Sequence, residues 1–489
     1  MSVERVSVRR GLYQDSVTLM QLSRDVGAST GVTAALVAMA TDLNLDVLTA
    51  MGFQVPADLD SANELLIAIR ADSAAAADLG LARADELLAA PRRTPAAGAG
   101  SAPQPRTIGS LVRTSGSGLA LISVPGQHAF TEAMDALESD CDVLIFSDNV
   151  SVQQEIDLKE VAAERGRLVM GPDCGTAVVG GIGLGFAHTL DAGPVGLVAA
   201  SGTGAQQVLC LLDAAGVGIT AALGVGGRDL SEAVAGRSSI AAIRMLDDDP
   251  ATELILVVSK PPADAIGRQL RELAGQLRTP VQFALLGPGE PDLTAATEQA
   301  LARLGRGVPS WPSWIADGRP ARAGGALRGL FCGGTLCDEA MLIASAELGA
   351  VYSNTPLRSD WTLDESLRAD GHYMIDFGDD ALTRGRPHPM IDPSLRTRYL
   401  QAALDDARSA VILLDVVLGH GAHSDPVAEL LPLVENSAVP VVVSVIGARR
   451  DPQSLNESAS RLHRAGASAF TSNAAAARHA LALIRKADA

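Results

Sequence analysis

The chain has 489 residues, 47% hydrophobic and 20% charged, a globular composition with room for roughly two to four domains. Acidic residues number 57 and basic residues 39, a net charge of −18, and no Lys/Arg cluster outweighs that field; a nucleic-acid partner is therefore not expected. No run reaches the ~18 apolar residues of a membrane span, and the start MSVERVSVRRGLYQDS has no signal-peptide core, so a cytoplasmic protein is expected.

Aromatics supply only 3% of the chain, so Ala, Val and Leu must fill the core. The five cysteines are scattered and make no disulfide framework. In chain order, Val3–Val8 alternates as a strand does, and Ser16–Val26 repeats apolar residues at helical spacing. Val32–Ala40 and Glu64–Arg70 read as strands and Asp72–Ala90 as an Ala/Leu-rich helix. PRRTPAAGAGSAPQPR, residues 91–106, reads as a loose segment.

Next come strands at Leu119–Val124, Val143–Phe146 and Leu168–Met170, with helices at Ala129–Glu138 and Val152–Arg165 between them. This rhythm predicts an α/β fold with parallel sheets. A second unit begins near Pro194, with strands at Val195–Ala200, Ile219–Gly224, Leu254–Val258 and Val281–Leu286. Residues 309–326 read as a linker. A third unit, 327–489, has strands at Gly329–Phe331, Tyr373–Phe377, Ala410–Leu418 and Pro440–Ile446.

Ligands of open α/β sheets sit beyond the carboxyl ends of the strands, which makes the strand-to-helix turns informative. In AASGTGAQQ, Ser201, Gly202, Thr203 and Gly204 open a helix with uncovered backbone N–H groups, a place for an anion. In DVVLGHGAHSDP an apolar strand runs into Gly419, His420, Gly421, Ala422 and His423. Two histidines at i, i+3 suit phosphate binding, proton relay or a metal; metal is the minority reading, and none is expected. GRPHPMIDP places Arg386 and His388 on a proline-flanked loop suited to carboxylate or phosphate recognition.

Weaker signals are Cys174 and Gly175 in GPDCGT, Arg228 and Asp229 in GGRDLS, Lys260 in SKPP, and the helix opening CGGTLCDEA at Cys332–Ala340. Asp376, Asp379 and Asp380 read equally as helix caps or catalytic acids. No G-x-G-x-x-G follows the first strand, which disfavours a nicotinamide dehydrogenase.

The run GPDCGT, GPVGLVAASGTGAQQ, GVGGRDLS and VSKPP resembles the α subunit of succinyl-CoA synthetase. LFCGGTLCDEAM, MIDFGDDA and ILLDVVLGHGAHSDP resemble the carboxy-terminal ligase domain of its β subunit. Both on one chain, with FSDNVS and GRPHPMIDP, resemble the FdrA family. The resemblance implies a Rossmann-like CoA-binding-type domain over 1–190, then flavodoxin-like ligase domains over 191–308 and 327–489. It also implies that Ser201–Gly204 and Gly419–His423 open two helices converging on one phosphate. The chain departs from the synthetase at ALLGPGEPDL, Ala284–Leu293, where the phosphohistidine is missing, and at the reduced turn RRGLYQDS.

What the family implies is oxamate carbamoyltransferase activity in allantoin and purine catabolism, with separate partner subunits. On that reading carbamoyl phosphate and oxamate are the anionic substrates, and His420, His423 and His388 are the candidate catalytic groups. Ser201, Gly202, Thr203, Gly204, Gly419, Gly421, Ala422, Arg386, Cys174 and Gly175 would bind substrate. No cofactor is expected. An NDP-forming acyl-CoA synthetase, with CoA bound, and a non-catalytic scaffold are the alternatives, and a homo-oligomer is left open.

Overall fold

The computed structural model describes residues 3–12, 14, 16–56, 59, 63–89, 105–317, 319–384 and 386–489. Nearly all of the loose segment 91–106, and Gly385 in the loop of Arg386 and His388, lie outside the described residues.

The first unit is a three-stranded antiparallel sheet of β1 (Val3–Arg9), β2 (Val32–Met39) and β3 (Leu65–Ala71), in the order β1-β3-β2. Central β3, LLIAIRA, is apolar almost throughout because both faces are covered. Leu65, Ile67 and Ile69 pack with Leu19, Leu22 and Val26, while Leu66 and Ala68 pack with Leu48 and Phe53. That is the period-2 alternation of a strand between two layers.

The parallel Rossmann-like part begins only after residue 104. Strands β4 (Leu119–Ile122), β5 (Asp142–Ile145) and β6 (Val169–Met170) pair in that order, all parallel. The expected single domain over 1–190 is thus corrected to an antiparallel unit followed by a short parallel one. Its far boundary moves as well. The hairpin of β7 (Thr176–Val179) and β8 (Ile182–Gly185) joins the next sheet through the antiparallel pair Ala222–Val178.

That six-stranded sheet runs β12-β11-β9-β10-β7-β8, where β9 is Ala192–Ala200, β10 Ile219–Gly224, β11 Leu254–Ser259 and β12 Val281–Leu285. The last sheet has seven strands, ordered β13-β19-β18-β17-β14-β16-β15. They are β13 (Ser313–Trp314), β14 (Ala326–Phe331), β15 (Tyr352–Ser353), β16 (Tyr373–Asp376), β17 (Ser409–Val417), β18 (Val441–Ile446) and β19 (Ser468–Phe470). All its neighbours are parallel except β13 on β19. The stretch read as a linker therefore supplies an edge strand.

The two large sheets share one core. Val208 and Leu209 of the helix Gly202–Ala214 pack in one cluster with Leu336 and Met341 of the helix Gly334–Leu348 and with Ala477 and Leu481 of the helix Asn473–Asp488. Buried polar groups fix the register of these helices. The Asn473 amide bonds Glu339 Oε2 at 2.7 Å and the Leu336 carbonyl at 2.9 Å, and Glu339 Oε1 accepts the Leu293 N–H at 2.7 Å. The parallel unit is tied on by Lys159, whose buried ammonium bonds Glu155 at 2.8 Å, Asp229 at 2.7 Å and the Val225 carbonyl at 3.0 Å. Such a charge is tolerated inside only with its partners in place.

Candidate active site at two facing helix openings

β9 ends at Ala200 and β14 at Phe331, and each runs straight into a helix. The two openings face each other. Ser201 Oγ lies 2.7 Å from Thr335 Oγ1 and also caps its own helix, accepting the Gly204 N–H at 3.0 Å. Glycine makes the approach possible. A Cβ on Gly333 would stand 2.8 Å from Thr203 Oγ1, and one on Gly204 would stand 2.9 Å from Thr335 Cγ2 and 2.3 Å from Ser201 Oγ. Gly202, by contrast, has open space before it. The Gly202 and Thr203 N–H groups thus belong to the uncapped first turn, where the helix dipole favours an anion.

The Cys332-Gly333 turn is held from behind. Asp415, fully buried on β17, accepts the Cys332 and Gly333 N–H groups at 2.7 and 2.8 Å, and Arg396 bonds the same carboxylate at 2.9 Å. This buried pair sets the angle at which the second helix starts.

Lys260 follows β11, whose last residue Ser259 lies beside Ala200 in the register. Its ammonium is 3.4 Å from Asp338 Oδ2. A Cβ on Gly334 would meet Asp376 Oδ2 at 2.4 Å and Lys260 Nζ at 2.8 Å, so amine and carboxylate stand together at the second helix opening. Burial draws the Lys260 pKa down, but Asp338 and Asp376 outweigh it, and the pKa is raised. Burial pushes Asp376 up to about 7 against the opposing pull of Lys260 and of the Gly378 N–H, which Oδ1 accepts at 2.9 Å.

His388 closes this side. A Cβ on Gly378 would lie 2.9 Å from His388 Nε2 and 3.2 Å from Asp376 Oδ1. The Met390 N–H donates to His388 Nδ1 at 3.2 Å, so the neutral ring carries its proton on Nε2. Burial, with Arg396 behind it, draws the His388 pKa down to about 4. The Phe186 ring packs 5.6 Å from the imidazole.

The glycine-histidine turn does something else. Gly419–His423 opens no helix; the next one is Leu431–Glu435. Positive φ angles at Gly419 and Gly421 fold the turn back, and His420 exchanges both backbone bonds with Ala187, at 2.8 and 3.2 Å. Gln453 takes up the Gly419 N–H and carbonyl at 3.0 and 2.9 Å. The exposed His420 side chain reaches Thr189 Oγ1 at 3.2 Å. His423 is joined to the His388 loop through its N–H to the Met390 carbonyl at 2.7 Å. The expected convergence of Ser201–Gly204 with Gly419–His423 is thus corrected: the partner opening is Cys332–Thr335.

Arg386 is exposed. Cys174 and Gly175 line a narrow crevice with Asp173, Ser201, Gly202, Gly226 and Gly227. Burial pushes the Cys174 thiol up to about 12, which removes it as a nucleophile at neutral pH. Asp379 is the cap of the helix Asp380–Thr383, accepting the Ala381 N–H at 3.0 Å. Sequence reasoning underrated Lys260 and the Cys332–Thr335 opening. The signal was present in both: an apolar strand ending directly in SKPP or CGGT.

Over 503 aligned residues, 95% of each chain, the sequence is 38% identical to the uncharacterized protein YahF of Escherichia coli K12, which is FdrA-like. The chain belongs to the FdrA family. Within this FdrA-family chain, residues 330–483 match the CoA-ligase family and residues 1–105 match the family described as AllF, heavy metal-associated domain. A 175-residue stretch is 25% identical to the α subunit of the ADP-forming succinate–CoA ligase of Methanothermobacter thermautotrophicus, covering 35% of this chain and 58% of that one. Among solved structures, PH0766 of Pyrococcus horikoshii is similar over 76% of this chain and 84% of its own, at 14% identity and a TM-score of 0.30. The dinucleotide-forming acetyl-CoA synthetase 1 of Ca. Korarchaeum cryptofilum, with phosphate and ADP, matches over 76% and 85%, also at 14% and 0.30.

The description of the family matched by residues 1–105 raises the question of a metal. Residues 1–105 contain neither cysteine nor histidine, the thiolate and imidazole donors that hold most transition and heavy metals in proteins. The residues present do not fit one. Among the described residues, no group of three or more His, Cys, Asp and Glu side chains is placed to hold a metal ion, and no helix is long and apolar enough to cross a membrane.

Proposed function

We propose that this chain is the carbamoyl phosphate-binding subunit of an oxamate carbamoyltransferase. One observation carries the reading: Lys260 and Asp376 meet at the Gly334 helix opening, directly beside the Ser201–Gly204 opening. Two helix N-termini and an ammonium suit a phosphate. A carboxyl group next to them, which accepts through its carbonyl oxygen even when protonated, suits N–H donors. Carbamoyl phosphate carries both, an NH2 group and a phosphate two bonds apart across one carbonyl carbon. A plain acyl phosphate would leave the carboxylate with nothing to accept.

On this reading the Gly202 and Thr203 N–H groups and Lys260 hold the phosphate. The neutral His388 ring donates from Nε2 to the carbonyl oxygen that gains charge during attack, and Arg386 recruits the oxamate carboxylate from the loop beside it. The charge of −18 makes this local positive focus the main attraction for an anion. Oxamate delivery falls to separate partner subunits.

Acyl-CoA ligation is the second reading, favoured by the match of residues 330–483 to the CoA-ligase family. Calorimetry separates the two. Saturable binding of carbamoyl phosphate, weakened at least tenfold in Lys260→Met, with no heat from CoA, supports the carbamoyl reading. CoA binding without carbamoyl phosphate binding would replace it with the ligase.

A further inference from the structure

We propose that Asp376 is the proton-transfer residue of this site, and that a dianion seated at the two helix openings takes up a proton on it. Asp376 is 4% exposed, and its Oδ2 is aimed at Gly334, the first residue of the second helix. An ionised carboxylate there would compete with any phosphate for the same helix opening and repel it. A protonated one becomes a donor to it. Its protonated form is already favoured by burial, so the proton is available near neutral pH.

The groups facing Asp376 come from every element packed around it. Lys260 stands at the end of β11, Cys337 and Asp338 project from the helix Gly334–Leu348, and Asp379 comes from the turn beyond β16. Cys332 lies at the end of β14, and His388 sits over Gly378. Within this set, burial places both thiols well above their ordinary range, draws His388 down to about 4 and raises Asp338, and Lys260 is raised; Asp376, pushed up to about 7, is the carboxyl whose Oδ2 is aimed at the Gly334 opening.

The chemical step then balances. The amide nitrogen of oxamate forms a bond to the carbonyl carbon of carbamoyl phosphate. The C–O bond to the bridging oxygen breaks, its electron pair stays with the phosphate, and Asp376 protonates that phosphate. The proton lost by the attacking nitrogen returns to the Asp376 carboxylate. The residue is regenerated, and no oxidant, nucleotide or metal is consumed.

This deepens the carbamoyl reading, but its test does not depend on the carbamoyl group. The probe is sulfate, a dianion that does not itself titrate between pH 6 and 8, measured by calorimetry on the full chain. Affinity is expected to fall about tenfold from pH 6 to pH 8 as Asp376 ionises, with one proton taken up at the upper end. In Asp376→Asn the fall shrinks below twofold. A folded Asp376→Asn protein that keeps the wild-type pH dependence overturns the proposal. Should that variant not fold, Lys260→Met is read instead. Loss of the ammonium removes the pull that favours the ionised carboxylate, so the midpoint of the pH dependence moves up; an unmoved midpoint overturns the proposal. Failure of carbamoyl transfer with the sulfate result intact would sink the substrate assignment alone.

Discussion

Asp376, the last residue of β16, and Cys174, on a turn before β7, illustrate how burial sorts two acids that both stand close to glycines in sequence. Burial raises both, but to different ends. Asp376, with Lys260 beside it, reaches about 7 and can exchange a proton at physiological pH. Burial pushes Cys174 to about 12 against the Thr176 carbonyl, 3.7 Å from its Sγ, and it stays a thiol. Cys174→Ala is therefore expected to leave turnover within a factor of about two, since fewer than one thiol in 10,000 is ionised at pH 7 at that pKa. Iodoacetamide should likewise fail to inactivate the folded protein at pH 7.5. Rapid stoichiometric inactivation would make Cys174 a working nucleophile and require another site.

At the level of elements, the two helix openings depend on glycine for contact more than for ligand space. Gly204 faces Thr335, Gly333 faces Thr203, and Gly202 alone of the three faces open space. Gly204→Ala is expected to force the helices apart, costing about 1–3 kcal/mol and weakening carbamoyl phosphate binding through the displaced Ser201 cap. Denaturant unfolding and calorimetry report the two effects. An unchanged midpoint would mean that the openings are not in the packing described. The SGTG turn was legible from the sequence because its strand, glycines and helix are contiguous. Its partner was not: the choice between CGGT and GHGAH depends on Asp415 and Arg396, which act across three segments distant in sequence. Positive φ at Gly419 and Gly421 turns the second candidate away, and a Gly-His-Gly string does not reveal that.

Across the whole molecule, the α/β class and the parallel order of the later strands follow from the alternation of apolar strands and helices. The N-terminal unit shows the limit of that argument. Its strand-helix-strand rhythm matches a parallel domain, yet β3 pairs antiparallel with both neighbours, since hydrophobic periodicity reports burial of a face and not strand direction. The same unit lacks cysteine and histidine although its family is described by a heavy metal. The rest of the chain builds one continuous core between two sheets and brings SGTG, CGGT, Lys260, Asp376 and His388 to its edge. The most direct test of this arrangement is carbon NMR on the full chain with the partner subunits proposed for it, 13C-carbamoyl phosphate and oxamate. A 13C-labelled oxalurate signal that grows with time, and is lost in Lys260→Met, is the predicted result. Decay of carbamoyl phosphate with no oxalurate at any partner ratio would contradict the account.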